Sequence, residues 1–242
     1  MFVDVHTHVT AKEFDADRER VILESGCIAL INNGYSAADN RATLDLSKKY
    51  PLVKKAFGLH PDQTWNLPVK EVDEEIAWIR KHKPFAIGEI GLDFLYAHPE
   101  KQIDAFKKFI SLALELDLPM IVHSRKAEKE VLDVLEDMHA KKVILHCFSG
   151  KLKLVDRAEK LGYFFSIPGI IVHSLHFQEL VKRASITKLL TETDAPFLSP
   201  IKGERNEPKY IPLTIQKIAE VKGMDEKEVE NSIFANYQRL FR

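Results

Sequence analysis

The 242-residue chain has little cysteine, no long apolar run and almost no net charge. Its two cysteines, Cys27 and Cys147, lie far apart and form no CxxC pair, which argues against a disulfide framework and indicates a reducing compartment. No stretch approaches the roughly 18 apolar residues of a membrane span, and no secretory signal is visible at the start. We therefore expect a cytoplasmic protein that does not bind a membrane.

Neither charge sign dominates, since 35 Lys and Arg face 36 Asp and Glu. Without a basic coat, tight nonspecific binding along many phosphates of a nucleic acid is not indicated, although local patches remain possible. A glycine-rich turn after the first apolar segment is also missing, because that segment ends in the letters HTH. This absence weighs against a doubly wound, nucleotide-binding open sheet.

Short apolar segments do recur, at intervals of about thirty residues, the length of one βα unit. Longer amphipathic stretches separate them, and the last of these begins at Asp225, with Glu228 at the spacing of a helix cap. Eight strands alternating with helices predict an α/β fold of the (β/α)₈ TIM-barrel type, one domain over residues 1–242, with the open sheet as the alternative. The eight apolar segments are 2–8, 26–34, 53–61, 84–93, 118–125, 142–150, 162–169 and 188–196.

Histidines and carboxylates stand where these apolar segments end, which in a barrel is the catalytic face. In a strand, side chains two residues apart point the same way, so His6 and His8 should face the barrel mouth together. Imidazole and carboxylate ligands suit Zn²⁺, Mn²⁺, Fe²⁺ or Co²⁺, with Mg²⁺ possible. The candidate metal ligands are His6, His8, Glu89, His123, His146 and Asp194.

Any one of these residues alone has an ordinary structural explanation. A single histidine at a strand end is more often hydrogen-bonded than a ligand, and Asp194 before Ala-Pro suits a turn. Six such residues at one end of one barrel require six coincidences, and so many titratable groups would shift one another's pKa strongly unless cations held them. The set therefore predicts a metal site.

Three further residues are candidates for substrate contacts. His60 closes the third segment, Arg125 follows His123, and Arg205 lies in the polar, Pro-rich connection 200–212. Each is about as well explained by a structural role, a surface salt bridge or a rigid loop as by binding of a phosphate.

The chain resembles the TatD family of metal-dependent deoxyribonucleases, in the amidohydrolase superfamily, over nearly its whole length. The resemblance is carried, in order, by the segments DVHTH, GLHP, GEIGLDF, LPMIVHSR, HCFSG, ETDAPFLSP and RNEP. One departure from the family pattern is FFSIPGII in the seventh strand. This leaves the metal ligands intact but puts substrate contacts around 166–171 in doubt.

The resemblance implies two divalent cations, of Zn²⁺, Mg²⁺ or Mn²⁺. His6, His8, Glu89 and Asp194 would hold one cation, and Glu89, His123 and His146 the other. With Glu89 bridging the metals, Asp194 would act as general base toward an attacking water.

The expected activity is cleavage of phosphodiester bonds in DNA, as a 3′-5′ exonuclease on single strands, by a monomeric enzyme with no obligate protein partner. The alternatives are hydrolysis of an ester or amide, for example an aminoacyl ester on tRNA, and a noncatalytic metal-binding scaffold.

Overall fold

The computed structural model describes residues 1–241, in which eight β-strands alternate with helices. The strands are β1 Phe2–Thr7, β2 Cys27–Asn33, β3 Val53–Phe57, β4 Ala86–Asp93, β5 Met120–Arg125, β6 Val143–His146, β7 Phe164–Ile167 and β8 Leu189–Thr191. The helices are α1 Arg18–Leu23, α2 Ala37–Lys49, α3 Pro61–Thr64, α4 Val69–His82, α5 Pro99–Leu116, α6 Glu128–Asp137, α7 Leu152–Lys160, α8 Leu175–Arg183, α9 Ile211–Lys222 and α10 Glu226–Leu240.

Neighbouring strands pair in parallel, in the sequential order β1 to β8. The two ends of the sheet also meet. The hydroxyl of Thr191 donates to the carbonyl of Val3 (2.7 Å), and the N–H of Asp194 donates to the carbonyl of His6 (2.9 Å). The strands thus form a nearly closed (β/α)₈ barrel, which confirms the fold predicted from the alternation of the sequence.

The barrel wall is buried on both faces, as expected of parallel strands covered by helices outside and filled by side chains inside. All eight residues of β4 are buried, and Glu89 lies in the middle of this largely apolar strand, which ends at a second carboxylate, Asp93. A buried carboxylate is costly unless other groups compensate its charge, so its surroundings define the site.

The ends of the elements were predicted with mixed success. The cap of α10 is confirmed, because the Asp225 carboxylate accepts the N–H groups of Lys227 (2.8 Å) and Glu228 (3.3 Å). Every strand is shorter than its predicted segment, and some site residues expected at strand ends lie beyond the strands. His60 lies beyond β3 as the N-cap of α3, and Asp194 lies beyond β8 with φ 58°, in the left-handed region where an extended strand cannot continue.

Among residues 1–241, no helix has the length and apolarity that crossing a membrane requires.

Candidate metal centre

Four side-chain atoms meet at the mouth of the barrel, and we call them the first donor group: His6 Nε2, His8 Nε2, Asp194 Oδ1 and Glu89 Oε2. The two histidine nitrogens lie 3.1 Å apart, which confirms that the side chains of His6 and His8 face the same way. Asp194 Oδ1 lies 3.3 and 3.4 Å from them, and Glu89 Oε2 lies 3.5 Å from each. All four side chains are at least five-sixths buried.

The spacing of the first donor group fits a metal ion. In a tetrahedral site with metal–ligand distances of about 2.0–2.1 Å, neighbouring ligand atoms are about 3.3–3.4 Å apart. The five distances given above, from 3.1 to 3.5 Å, lie close to that value. The Nδ1 atom of His8 lies 2.9 Å from the carbonyl of Asn33, to which it can donate, and this leaves the Nε2 lone pair of His8 for an ion.

The other oxygen of Glu89 faces a second set of imidazoles. We call Glu89 Oε1, His60 Nε2, His123 and His146 Nε2 the second donor group. Glu89 Oε1 lies 2.8 Å from His123 Nδ1 and 3.6 Å from both His60 Nε2 and His146 Nε2. His123 Nε2 lies 3.5 Å from Asp93 Oδ2 on its other side, and neither contact of the ring has the geometry of a hydrogen bond. Imidazole nitrogens close to carboxylates but not aligned with them as hydrogen bonds also suit a cation.

Close packing of the backbone brings Glu89 into this position. A Cβ atom on Gly58 would lie 2.5 Å from the carbonyl oxygen of Glu89, so only glycine lets β3 and the following loop approach β4 here. Gly91, with φ 145°, has the same role on the other side, where a Cβ would lie 2.0 Å from the carbonyl oxygen of His123. The peptide bond Gly88–Glu89 is cis.

Glu192 is a buried member of the site that the sequence reasoning missed. Its Oε2 accepts from His146 Nδ1 (3.0 Å) and from the hydroxyl of Ser166 (2.5 Å), and its Oε1 accepts from the N–H of Cys147 (3.1 Å). It therefore orients His146 with Nε2 toward Glu89, in the way that carboxylates orient metal-bound histidines. Strand alternation could not have indicated it, because β8 ends at Thr191 and Asp194 has a left-handed backbone conformation.

The carboxylates and imidazoles shift one another's pKa in opposite directions. Burial tends to raise the pKa of Asp194, but the imidazoles of His6 and His8 lower it below its usual range. Burial tends to lower the pKa of His8, but Asp194 and Glu89 raise it to about 9. Without an ion, protonated imidazoles therefore compensate the negative charge of the buried carboxylates. A bound cation can supply the same positive charge in their place.

In the second donor group too, the pKa of the carboxylate is lowered and the pKa of an imidazole is raised. Burial tends to raise the pKa of Glu89, but the nearby His60 and His6 lower it well below its usual range. Burial tends to lower the pKa of His146, yet Glu192 and Glu89 raise it to about 10.

The three candidate substrate contacts lie in different surroundings. His60 is part of the second donor group, and its Nδ1 lies 2.9 Å from Asp62 Oδ1. Arg125, at the end of β5, is exposed and forms no ion pair among residues 1–241. Arg205 instead donates to the carbonyl of Glu13 and to the carboxylates of Asp17 and Glu207, and its guanidinium lies over the ring of Phe14. These contacts compete with any role of Arg205 in binding substrate.

A (β/α)₈ barrel with imidazoles and carboxylates gathered at the carboxyl ends of its strands has the architecture of a metal-dependent barrel hydrolase. Residues 3–242 match the family model described as TatD related DNase. The chain belongs to this family, as its sequence motifs predicted.

Individual relatives match along the full length of the chain. A metal-dependent hydrolase of Methanocaldococcus jannaschii is 35% identical over 249 residues, covering 100% of this chain and 97% of the relative. The 3′-5′ ssDNA/RNA exonuclease TatD of Erwinia tasmaniensis is 31% identical, covering 98% of each. The crystal structure of the TatD homologue YjjV of Escherichia coli K12 superposes with a TM-score of 0.91 at 26% identity, covering 99% of this chain and 97% of that one.

Proposed function

We propose that this protein is a divalent-metal-dependent hydrolase that cleaves phosphodiester bonds of single-stranded DNA, removing nucleotides from the 3′ end. The observation that carries the proposal is the division of the buried Glu89 carboxylate between two donor groups, Oε2 facing His6 and His8, and Oε1 facing His123 and His146. Such an arrangement suits a carboxylate that bridges two cations.

We assign His6, His8, Asp194 and Glu89 as ligands of one ion. Glu89, His123 and His146 are assigned to the second ion, with His60 beside them. Nitrogen and oxygen donors together suit Zn²⁺ or Mn²⁺, and Mg²⁺ would require more oxygen ligands from water. Bound ions of this kind lower the pKa of water and polarise a phosphoryl oxygen.

Asp194 is positioned to take the proton of the attacking water. Because its pKa is held below the usual range, it is an unprotonated carboxylate at neutral pH, available as an acceptor. In the proposed reaction the water oxygen adds to phosphorus, the bond from phosphorus to the 3′ oxygen breaks, and that oxygen takes up a proton. The products are a nucleoside 5′-monophosphate and a strand shortened by one residue.

Arg125 is the candidate that is free to bind a phosphate oxygen, because no carboxylate among residues 1–241 pairs with it. His60 lies close enough to Glu89 to contact a phosphate held there. The polarity and the single-stranded substrate are supported by the Erwinia tasmaniensis relative, whose name carries both. We further propose that residues 1–242 act as one domain, in the cytoplasm, as a monomer.

The test is a cleavage time course on 5′-labelled single-stranded DNA. Chelator-treated protein is supplied again with Mg²⁺, Mn²⁺ or Zn²⁺, and the wild type is compared with Glu89→Gln. The expected result is a ladder that shortens from the 3′ end, depends on metal, and slows by about 10³-fold in the variant.

The matched control is Glu75→Gln. Glu75 is also a buried glutamate, but it pairs with Asn40 and Arg41 away from the donor groups, so its loss should affect stability and not the metal-dependent rate. Absence of cleavage with every metal, together with turnover of small carboxyl esters or amides, would overturn the phosphodiesterase proposal in favour of the ester- or amide-cleaving alternative.

A further inference from the structure

A cleft of about 630 Å³ opens beside the first donor group. His8, His60 and Glu89 form its inner end, so it is continuous with the candidate metal centre. Its volume lies within the range of pockets that enclose a small ligand. Whatever part of a substrate extends from the metal centre on this side must enter the cleft.

Two aromatic side chains line the cleft and are exposed to solvent. Phe197 is 54% exposed and Tyr35 is 43% exposed. The ring of Phe197 has its centroid 6.5 Å from that of His8, next to the first donor group. Exposed rings beside a catalytic centre are the feature by which proteins stack unpaired bases without reading their sequence.

The charge of the cleft lining is acidic. Glu13, Asp39 and Asp62 line the cleft outside the donor groups, and Lys12 is the one Lys or Arg among its lining residues. A phosphate placed here would be repelled by these carboxylates, whereas a neutral base and sugar would not. The exposed and unpaired Arg125 does not line the cleft.

We propose that this cleft binds the terminal nucleoside of a single strand, with its unpaired base stacked on Phe197 and Tyr35, and that the acidic lining selects ends that carry no phosphate. The inference rests on the proposed phosphodiesterase function. It adds that the scissile phosphate lies at the metal centre, that the last base occupies the cleft, and that the remaining phosphates of the strand leave on another side of the mouth.

The first test compares three 5′-labelled strands that differ only at the 3′ end. One ends in an ordinary nucleoside, one in an abasic sugar analogue, and one in an ordinary nucleoside with a 3′-phosphate. For the wild type, kcat/KM should fall about tenfold or more when the terminal base is missing, because stacking on an aromatic side chain is lost. It should also fall when the 3′-phosphate is present.

Variants of the cleft residues test whether these differences in kcat/KM arise in the cleft. Phe197→Ala and Phe197→Leu should cleave the ordinary and abasic ends at similar rates, whereas Phe197→Trp should restore the preference for a base. Asp39→Asn should reduce the penalty for the 3′-phosphate, because it removes one negative charge from the cleft. The amide oxygen of the variant can still accept the N–H of Tyr35, which now donates to Asp39 (3.2 Å). Tyr96→Ala is the matched control, an exposed aromatic side chain outside the cleft lining, and should keep both preferences.

The inference fails if the wild type cleaves ordinary and abasic ends equally well, if Phe197→Ala slows both ends by the same factor, or if a 3′-phosphate has no effect. Each of these results is obtained with an enzyme that cleaves DNA. Failure of the proposed function would look different, because no strand would then be cut with any metal.

Discussion

The two donor groups share Glu89 but differ in how well their other members are arranged for an ion. In the first, five pairs of donor atoms lie 3.1–3.5 Å apart, and Asn33 fixes the ring of His8. In the second, the distances to Glu89 Oε1 spread from 2.8 to 3.6 Å, and the contacts of His123 with Glu89 and Asp93 do not have the geometry of hydrogen bonds.

This difference implies an order of binding. The first donor group can accept an ion with little rearrangement, whereas the second must also fix the ring of His123, and ordering a side chain costs affinity. We therefore expect the first ion to bind more tightly. The concentration of free metal needed for full activity should then be set by the second ion.

One alanine variant in each donor group should separate the roles of the two groups. His6→Ala removes a ligand from the well-arranged group and should slow DNA cleavage by about 10³-fold at any metal concentration. His123→Ala should slow it by about 10²-fold and recover partly as Mn²⁺ is raised, because the weaker ion is the one affected. The measurement is kcat as a function of Mn²⁺ concentration. Equal losses with no recovery in either variant would contradict the ordering.

A smaller effect should follow from releasing His146. Glu192→Gln keeps the size of the side chain but weakens its hold on the Nδ1–H of His146, so affinity for the second ion should fall 10- to 100-fold, roughly the range for such supporting residues. Calorimetric titration with Mn²⁺ should show the tighter ion unchanged, with Glu75→Gln as the control buried glutamate. If the substitution instead lowered the affinity for the first ion, Glu192 would support the first donor group and our assignment would be wrong.

The pH dependence of metal binding is a third test. Since the pKa values of His8 and His146 are raised to about 9 and about 10, both imidazoles carry protons in the metal-free protein at pH 7, and ions must displace them. Calorimetry in buffers of different ionisation enthalpy should detect protons released on metal binding at pH 7 and fewer near pH 10. Binding without proton release at pH 7 would contradict these assignments.

The same shifts predict the pH stability of the metal-free protein. Folding raises both pKa values above the ordinary value of about 6.5, so the protonated imidazoles stabilise the fold below that pH. The stabilisation is lost as the pH rises through about 9 and 10. Thermal unfolding with and without chelator should show this loss in the chelated protein, and no such loss there would count against the raised pKa values.

The smallest effect concerns Arg205, outside both groups. Arg205→Ala should lower the free energy of unfolding by about 1 kcal/mol or less, as for partly exposed ion pairs, and leave the KM for DNA unchanged. The pKa of its partner Glu207 is lowered to about 2, despite burial, by Arg20, Arg205 and Lys209. This contribution is therefore present above the ordinary glutamate pKa of about 4.3 and is lost as the pH falls toward 2.

Chemical unfolding of Arg205→Ala at pH 7 and pH 3, alongside the KM for DNA, checks both parts. A raised KM with unchanged stability would restore the role in substrate binding that the sequence suggested.

The sequence was sufficient where local pattern determines position. Alternating apolar segments predicted all eight strands. The two-residue spacing of His6 and His8 predicted that both side chains point into the barrel mouth. Contacts between distant residues were not readable. The pairing of Arg205 with Asp17 spans 188 residues, and Glu192 acts through a histidine 46 residues away. Neither leaves a periodic pattern in the sequence.

Whether Glu89 joins two ion sites is decided by titrating chelator-treated protein with Mn²⁺ in a calorimeter, with the wild type beside Glu89→Gln. We expect two ions per chain in the wild type, one bound more tightly than the other. We also expect the single substitution to weaken the binding of both ions, because the amide replaces the one carboxylate that faces both donor groups. If Glu89→Gln weakened only one ion, or bound two with the affinity of the wild type, the bridging role would be wrong.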